Sequence, residues 1–295
     1  MAKRWKTYLL DLLRADMETP KVHSIILKIA KYTLADEVRQ KSMIALFILS
    51  TLSVLLLRQC YKGDYMVNGQ ALSADAIALT LSKVAFHVIA AGAMFIAALL
   101  TMRVYKRDRD EGMLSCILSK PIDRWQYVTG KILGLWALSV LFMFILHSIV
   151  FFISSLSVKT LASAYLIAFL ICSLNLLFVI LAVFLLSLML PDIAAFLCAV
   201  GIGIVSLTLN GIYSFSQSQM GQAMMQQSMD HGPFGFTWWN VIYYLWPNVF
   251  GTQYFATSLI GNEGGVAAYP LINVLLYCLI LGVVLFWHFK NEDIV

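Results

Sequence analysis

Charge is scarce in this 295-residue chain: Asp, Glu, Lys and Arg make up 13% of it while 60% is apolar, against about a quarter charged and about half apolar in an ordinary soluble domain. A water-soluble fold of that composition would have no surface to turn to solvent. In six stretches, residues 42–57, 84–102, 132–158, 161–190, 193–213 and 271–289, charge is missing altogether. An ionisable side chain at the bilayer centre costs at least about 2.5 kcal/mol, and about 20 apolar residues in a helix cross the hydrocarbon, so these stretches predict six transmembrane helices. The predicted fold class is an all-α integral membrane protein. The same absence counts against a proton-coupled pump, which needs ionisable groups within the membrane to relay charge.

Catalytic and nucleotide-binding motifs are missing too. There is no GxxxxGK[ST]: the Gly130-Lys131 pair is followed by Ile132, and Trp125 stands where the first glycine would have to be. HExxH, GxSxG and paired carboxylates are absent from the apolar stretches and their edges, so an enzyme would lack a reacting centre. Cys60, Cys116, Cys172, Cys198 and Cys278 are scattered without CxxC spacing, which argues against a disulfide framework or a zinc site. The basic start is followed by an apolar run interrupted by Asp11, with no small-residue cleavage site, so no cleavable signal is expected.

The basic residues that are present lie unevenly. Residues 1–41 hold nine Lys or Arg, the loop 103–131 holds seven and Lys290 adds one, while Arg58, Lys62, Lys83 and Lys159 fall on the other side. Seventeen against four predicts that both termini and the 103–131 loop face the cytoplasm of a cell-membrane (inner-membrane) protein. The net charge of +5 is then a topology signal rather than a nucleic-acid patch.

The expected layout is an amphipathic region over 1–41 and a six-span domain over 42–295. From Val22 towards Lys41, Val22, Ile25, Ile26, Ile29 and Thr33 share one helical face and Lys28, Lys31 and Arg39 gather on another. Such a helix suits the headgroup region, with its basic face towards anionic lipid; packing on another protein subunit is the alternative. In the loop 103–131, Met113, Leu114, Ile117 and Leu118 follow one face of a short helix that Pro121 stops, either folded back on the bilayer or offered to a partner.

The external segment 214–269 has no Lys or Arg and carries ten aromatics between Phe234 and Phe255, the composition of a membrane interface. Short external or re-entrant helices are expected, one ending before Pro247, covered by the bundle because re-entrant backbone must have its polar groups met. Met220, Met224, Met225, Met229 and His231 put five soft or borderline ligands into twelve residues. Thioethers bind Cu(I), and methionines at this spacing equally fill irregular contacts on an interfacial helix, so a metal site here is an open candidate. His87, His147 and His288 are the histidines inside the spans, and Asn175, Asn210 and Asn273 the amides. His87 and His147 fall at similar depth, where they either meet or sit as satisfied structural histidines.

The run DEGMLSCILSKPIDRWQYVTGKILG, 110–134, resembles the signature that follows the second span in permease subunits of ABC-2 type ABC transporters. Glu111, Gly112, Leu118, Ser119, Pro121, Arg124, Gly130, Lys131 and Gly134 fill that pattern, and Met113 stands where Thr or Ser is more usual. IAKYTLADEVRQK, 29–41, is similar to the family's amphipathic elbow helix, YYLWPNVF, 243–250, to its aromatic-proline segment before the last span, and FWHFKNEDI to its close. The likeness is nearest to the NosY-like branch.

The resemblance implies a six-helix permease half that dimerises, most simply with a second copy of itself. It is driven by a separate ABC ATPase that holds the ATP and Mg, with no cofactor in this chain. It also implies that Asp110, Glu111, Gly112, Met113, Leu114, Ile117, Leu118, Ser119, Pro121 and Arg124 form the coupling helix and its flanks. No substrate follows from the resemblance; outward movement of a substrate, or mechanical coupling to a periplasmic process, is the expected activity, and the uncharged, aromatic and amide-bearing spans suit lipid-like or amphipathic cargo better than a small ion. A stand-alone carrier or channel, or a membrane maturation factor handling copper or a periplasmic partner, is the alternative.

Overall fold

The computed structural model describes residues 22–56, 66–67, 70–71, 74–110, 123–155, 162–218, 241–261 and 268–291. Eight long helices account for most of them: α1 Val22–Arg39, α2 Lys41–Leu56, α3 Ala74–Asp110, α4 Arg124–Ser155, α5 Ala162–Met189, α6 Asp192–Gln217, α7 Val249–Ile260 and α8 Tyr269–Asn291. A minimal antiparallel hairpin, β1 Met66–Val67 with β2 Gln70–Ala71, pairs Val67 with Gln70. It was not expected, although Asn-Gly, the pair at 68–69, is the commonest sequence of a two-residue hairpin loop.

Each boundary has a local cause. Helix α4 opens on a capping box, in which the Gln126 side chain accepts from the Asp123 backbone N–H and donates to the Asp123 carboxylate. Pro191 separates α5 from α6, since its ring fixes φ and removes the N–H that a continuous helix would use. Asp192 then sits in the first turn of α6, where a negative charge suits the helix dipole. A helical turn over 241–245 stops before Pro247, as the sequence predicts, and the Asn248 side chain caps α7 by accepting from Gly251 N.

Helix α5 is the axis of the bundle, packed against α3, α4, α6, α7 and α8. Ala168, Leu176, Ile180 and Phe184 on it are fully covered, and this uniformly apolar helix buries 61% of its most hydrophobic window. Helix α6 buries only 17% of its own, leaving Ile193, Leu197, Ile204 and Leu207 exposed. The outer surface of the bundle is thus apolar side chain, as a lipid-facing fold requires.

Among the described residues five helices, α3 to α6 and α8, are long and apolar enough to cross a membrane, and six if the bent pair α1 and α2 counts as one. The pair breaks by 70° at Gln40. The stretch predicted as the first span corresponds to α2, whose 16 residues rise about 24 Å, short of a full crossing. Helix α5 keeps to its predicted span, whereas α3, α4, α6 and α8 overrun theirs, α3 extending from Ala74 to Asp110 and α4 beginning at Arg124, because charge exclusion marks the hydrocarbon and not the ends of the helix.

Candidate functional site

Three helix ends meet at the end of the bundle where the basic residues gather: α1, the last turns of α3 and the first turns of α4. Helix α1 turns the apolar face read from its sequence not to lipid but onto α4 of its own chain. Ile25 and Thr33 are buried while Lys28, Lys31 and Arg39 are exposed. Gly130 and Gly134, four residues apart on α4, form the floor of that contact. A Cβ at Gly134 would lie 2.7 Å from the Ala30 carbonyl oxygen and 2.8 Å from the Thr33 Cβ; one at Gly130 would lie 2.7 Å from the Ile29 side chain. Two small residues at this spacing let helix backbones approach closely.

Replacing Gly134 by Ala is expected to destabilise the protein. The added methyl meets main chain, and overpacking costs about 1 to 3 kcal/mol, more than the helix propensity gained. Gly92→Ala, which meets nothing within 4 Å, is the control that leaves stability equal or slightly raised. Thermal unfolding of the detergent-purified variants checks the difference.

Ion pairs close the same junction. Arg107 on α3 bridges Asp36 and Glu37 of α1, at 2.7 Å to each carboxylate, and Glu37 also accepts from the Gln40 side chain at 2.7 Å. Burial pushes the Glu37 carboxyl up from its ordinary value against the opposing pull of Arg107. The pair therefore fixes the register of α1 on α3 more than it adds net stability.

Next to Arg107 in the chain, Asp108 of α3 pairs with Lys131 of α4 at 2.6 Å and accepts from the Tyr127 hydroxyl. Asp108 and Lys131 are 1% and 6% exposed at the side chain, so this is a charge pair sealed inside protein. Lys131 also lies 5.8 Å from the centre of the Tyr127 ring, and Tyr127 stacks on Phe289 near the end of α8. Lys106 reaches towards Asp192 at the start of α6, 3.9 Å away. Three further helices, α1, α6 and α8, are thereby tied to the two that carry the ends of the 111–122 loop.

Of the residues predicted to couple, Asp110 is the exposed last residue of α3 and Arg124 the exposed first residue of α4. Glu111, Gly112, Met113, Leu114, Ile117, Leu118, Ser119 and Pro121 lie outside the described residues, as do Met220, Met224, Met225, Met229 and His231. Among the described residues no group of three His, Cys, Asp or Glu converges as a metal site would require. Sequence reasoning missed Asp108 and the roles of Gly130, Lys131 and Gly134. The available signal was a carboxylate at the end of one predicted span and a lysine at the start of the next, on helices that a short loop makes neighbours.

At the start of α7 the chain breaks around Pro247 and Asn248, and side chains from neighbouring helices meet the freed backbone groups. Asn273 accepts from Asn248 N at 2.9 Å and donates to Tyr244 O, Asn175 donates to Val249 O at 3.0 Å, and Ser206 accepts from Phe250 N. Helix α7 is then buried among α3, α5, α6 and α8. His87 does not meet His147: it contacts Gln253 and Thr257 of α7, at 3.4 and 3.1 Å, while His147 packs on Phe86.

A family model described as ABC-2 family transporter protein matches residues 27–294. No curated protein matches the chain.

Proposed function

The chain belongs to the ABC-2 family of transporter proteins, and from that premise we propose that it is a permease half, of the NosY-like branch, whose movement is powered by a separate ABC ATPase holding ATP and Mg. The 111–122 loop docks on that ATPase through the apolar face of Met113, Leu114, Ile117 and Leu118. The observation that carries this is the sealed Asp108–Lys131 pair with Tyr127 at the root of the loop. A push on the loop is delivered to α3 and α4 together, and through Arg107 and Phe289 to α1 and α8. In this orientation both termini and the loop are cytoplasmic and Lys28 and Lys31 face anionic headgroups of the inner membrane.

A second copy completes the transporter, and the open apolar side of α6 supports that pairing. A cleft of about 720 Å³ between α1, α2, α3 and α6 runs from Leu46, Leu99 and Leu100 up to Arg103, Lys106 and Asp192. Its polarity gradient suits an amphipathic or lipid-like substrate, which the complex exports. The Met/His set of the external segment is assigned no metal.

Purification of the chain from its native membrane in mild detergent tests the proposal. Recovery of an ABC ATPase in comparable amount, with ATP hydrolysis by the pair, is the expected result. Transport by the purified chain alone down an ion gradient would overturn it.

A further inference from the structure

The cleft of about 720 Å³ between α1, α2, α3 and α6 has its polarity arranged in order along one face of α3. Leu99, Arg103, Lys106 and Asp110 line it and recur every three or four residues, the spacing of one helical face. At 1.5 Å per residue Arg103 stands about 6 Å beyond Leu99, Lys106 about 4.5 Å further and Asp110 about 6 Å further still. Leu46, Leu100 and Met102 widen the apolar end, and Asp192 at the start of α6 faces Lys106 at the outer end. From the membrane core outward the wall is hydrocarbon, then cation, then carboxylate.

The protein itself does not use up these charges. Arg103 and Asp110 are exposed, and neither has an ion pair or hydrogen bond among the described residues. Lys106 and Asp192 stand 3.9 Å apart, beyond hydrogen-bond reach, and the Lys106 side chain is 59% exposed. Arg107 and Glu37, the other charges of the lining, hold each other at 2.7 Å. Two cations and two carboxylates are left to meet an occupant, the cations nearer the hydrocarbon. A head group that is only anionic would face Asp110 and Asp192 with like charge, whereas one carrying an inner phosphate and an outer ammonium meets both pairs. The lining includes no aromatic residue, so a quaternary ammonium lacks the ring faces that recognise it. A primary ammonium instead brings three N–H donors to the carboxylates.

Building on the reading of this cleft as the seat of an amphipathic substrate, we propose that it binds a glycerophospholipid whose head group carries a primary ammonium, of the phosphatidylethanolamine type. Arg103 and Lys106 hold the phosphate, Asp110 and Asp192 the ammonium, and the acyl chains pass Leu46, Leu99 and Leu100 into the bilayer. The guanidinium offers the phosphate oxygens two parallel N–H bonds, and Lys106 adds a point charge. Binding needs only the chain in its membrane and does not depend on how transport is powered.

The test is native mass spectrometry of the full chain, delipidated in detergent and titrated with dioleoyl phosphatidylethanolamine, phosphatidylglycerol or phosphatidylcholine. One phosphatidylethanolamine per chain is expected, held about tenfold more tightly than either of the others. Arg103→Gln is expected to weaken all three lipids, phosphatidylethanolamine by about tenfold, because each carries the phosphate. Asp110→Asn is expected to lower phosphatidylethanolamine to the level of phosphatidylcholine. Both positions are exposed, so folding is spared. Lys28→Gln, an exposed basic position outside the cleft, is expected to change nothing. Equal retention of the three lipids, a preference for phosphatidylglycerol, or unchanged binding in Arg103→Gln would overturn the assignment. Lipid preference without recovery of an ATPase would count against the permease reading alone, and recovery of the ATPase without lipid preference against this site alone.

Discussion

Replacing Leu114 by Asp is expected to leave the chain folded and membrane-inserted yet to abolish recovery of the proposed ABC ATPase partner. Leu114 is the central residue of the apolar face proposed for residues 111–122. Buried anchors of this kind dominate interfaces, a hot spot being worth about 2 kcal/mol or more on truncation. Aspartate adds an unpaired carboxylate that a short helix cannot rearrange to satisfy. Arg124→Ala, at the exposed start of α4, removes a rim charge and is expected only to weaken the complex and make it more salt-sensitive. Pull-down at matched membrane expression checks both, and normal recovery with Leu114→Asp would mean the loop is not the docking element.

Lys131→Met is expected to have the largest effect on stability. It leaves the Asp108 carboxylate 1% exposed with the Tyr127 hydroxyl as its remaining hydrogen-bond partner among the described residues, and breaking a buried pair from one side costs about 3 to 5 kcal/mol. The double variant Asp108→Asn with Lys131→Met removes the stranded charge while keeping an acceptor for Tyr127, and most of the loss is expected to return. Thermal unfolding in detergent separates the cases. Equal stability of the single and double variants would show that charge burial is not what holds the root of the loop.

The bilayer made the helices legible. Because hydrocarbon excludes charge along each span, the uncharged stretches at 84–102, 132–158, 161–190, 193–213 and 271–289 each fall on a helix of the structure. What they could not reveal was pairing. Asp108 and Lys131 are read separately as charges that end two spans, and only the fold shows them cancelling one another inside protein. Gly130 and Gly134 were visible as letters of a family pattern, but their role needs the partner helix: the sequence of α1 specifies an apolar face without saying that two missing side chains on α4 receive it. Asn175 and Asn273 read as polar oddities within apolar helices until the break at Pro247 supplies the backbone groups they satisfy. The expectation of satisfied intramembrane histidines fails at His147, whose ring nitrogens have no hydrogen-bond partner among the described residues.

Most directly, the central claim is that force from ATP hydrolysis enters through the loop between α3 and α4, and a photo-crosslinking residue at position 114 in the full-length chain tests it in native membranes. The account predicts one dominant adduct with the mass of the permease plus an ABC ATPase, changing in yield when ATP is trapped unhydrolysed. Crosslinking to lipid alone, with the ATPase still recovered intact alongside the permease, would contradict it.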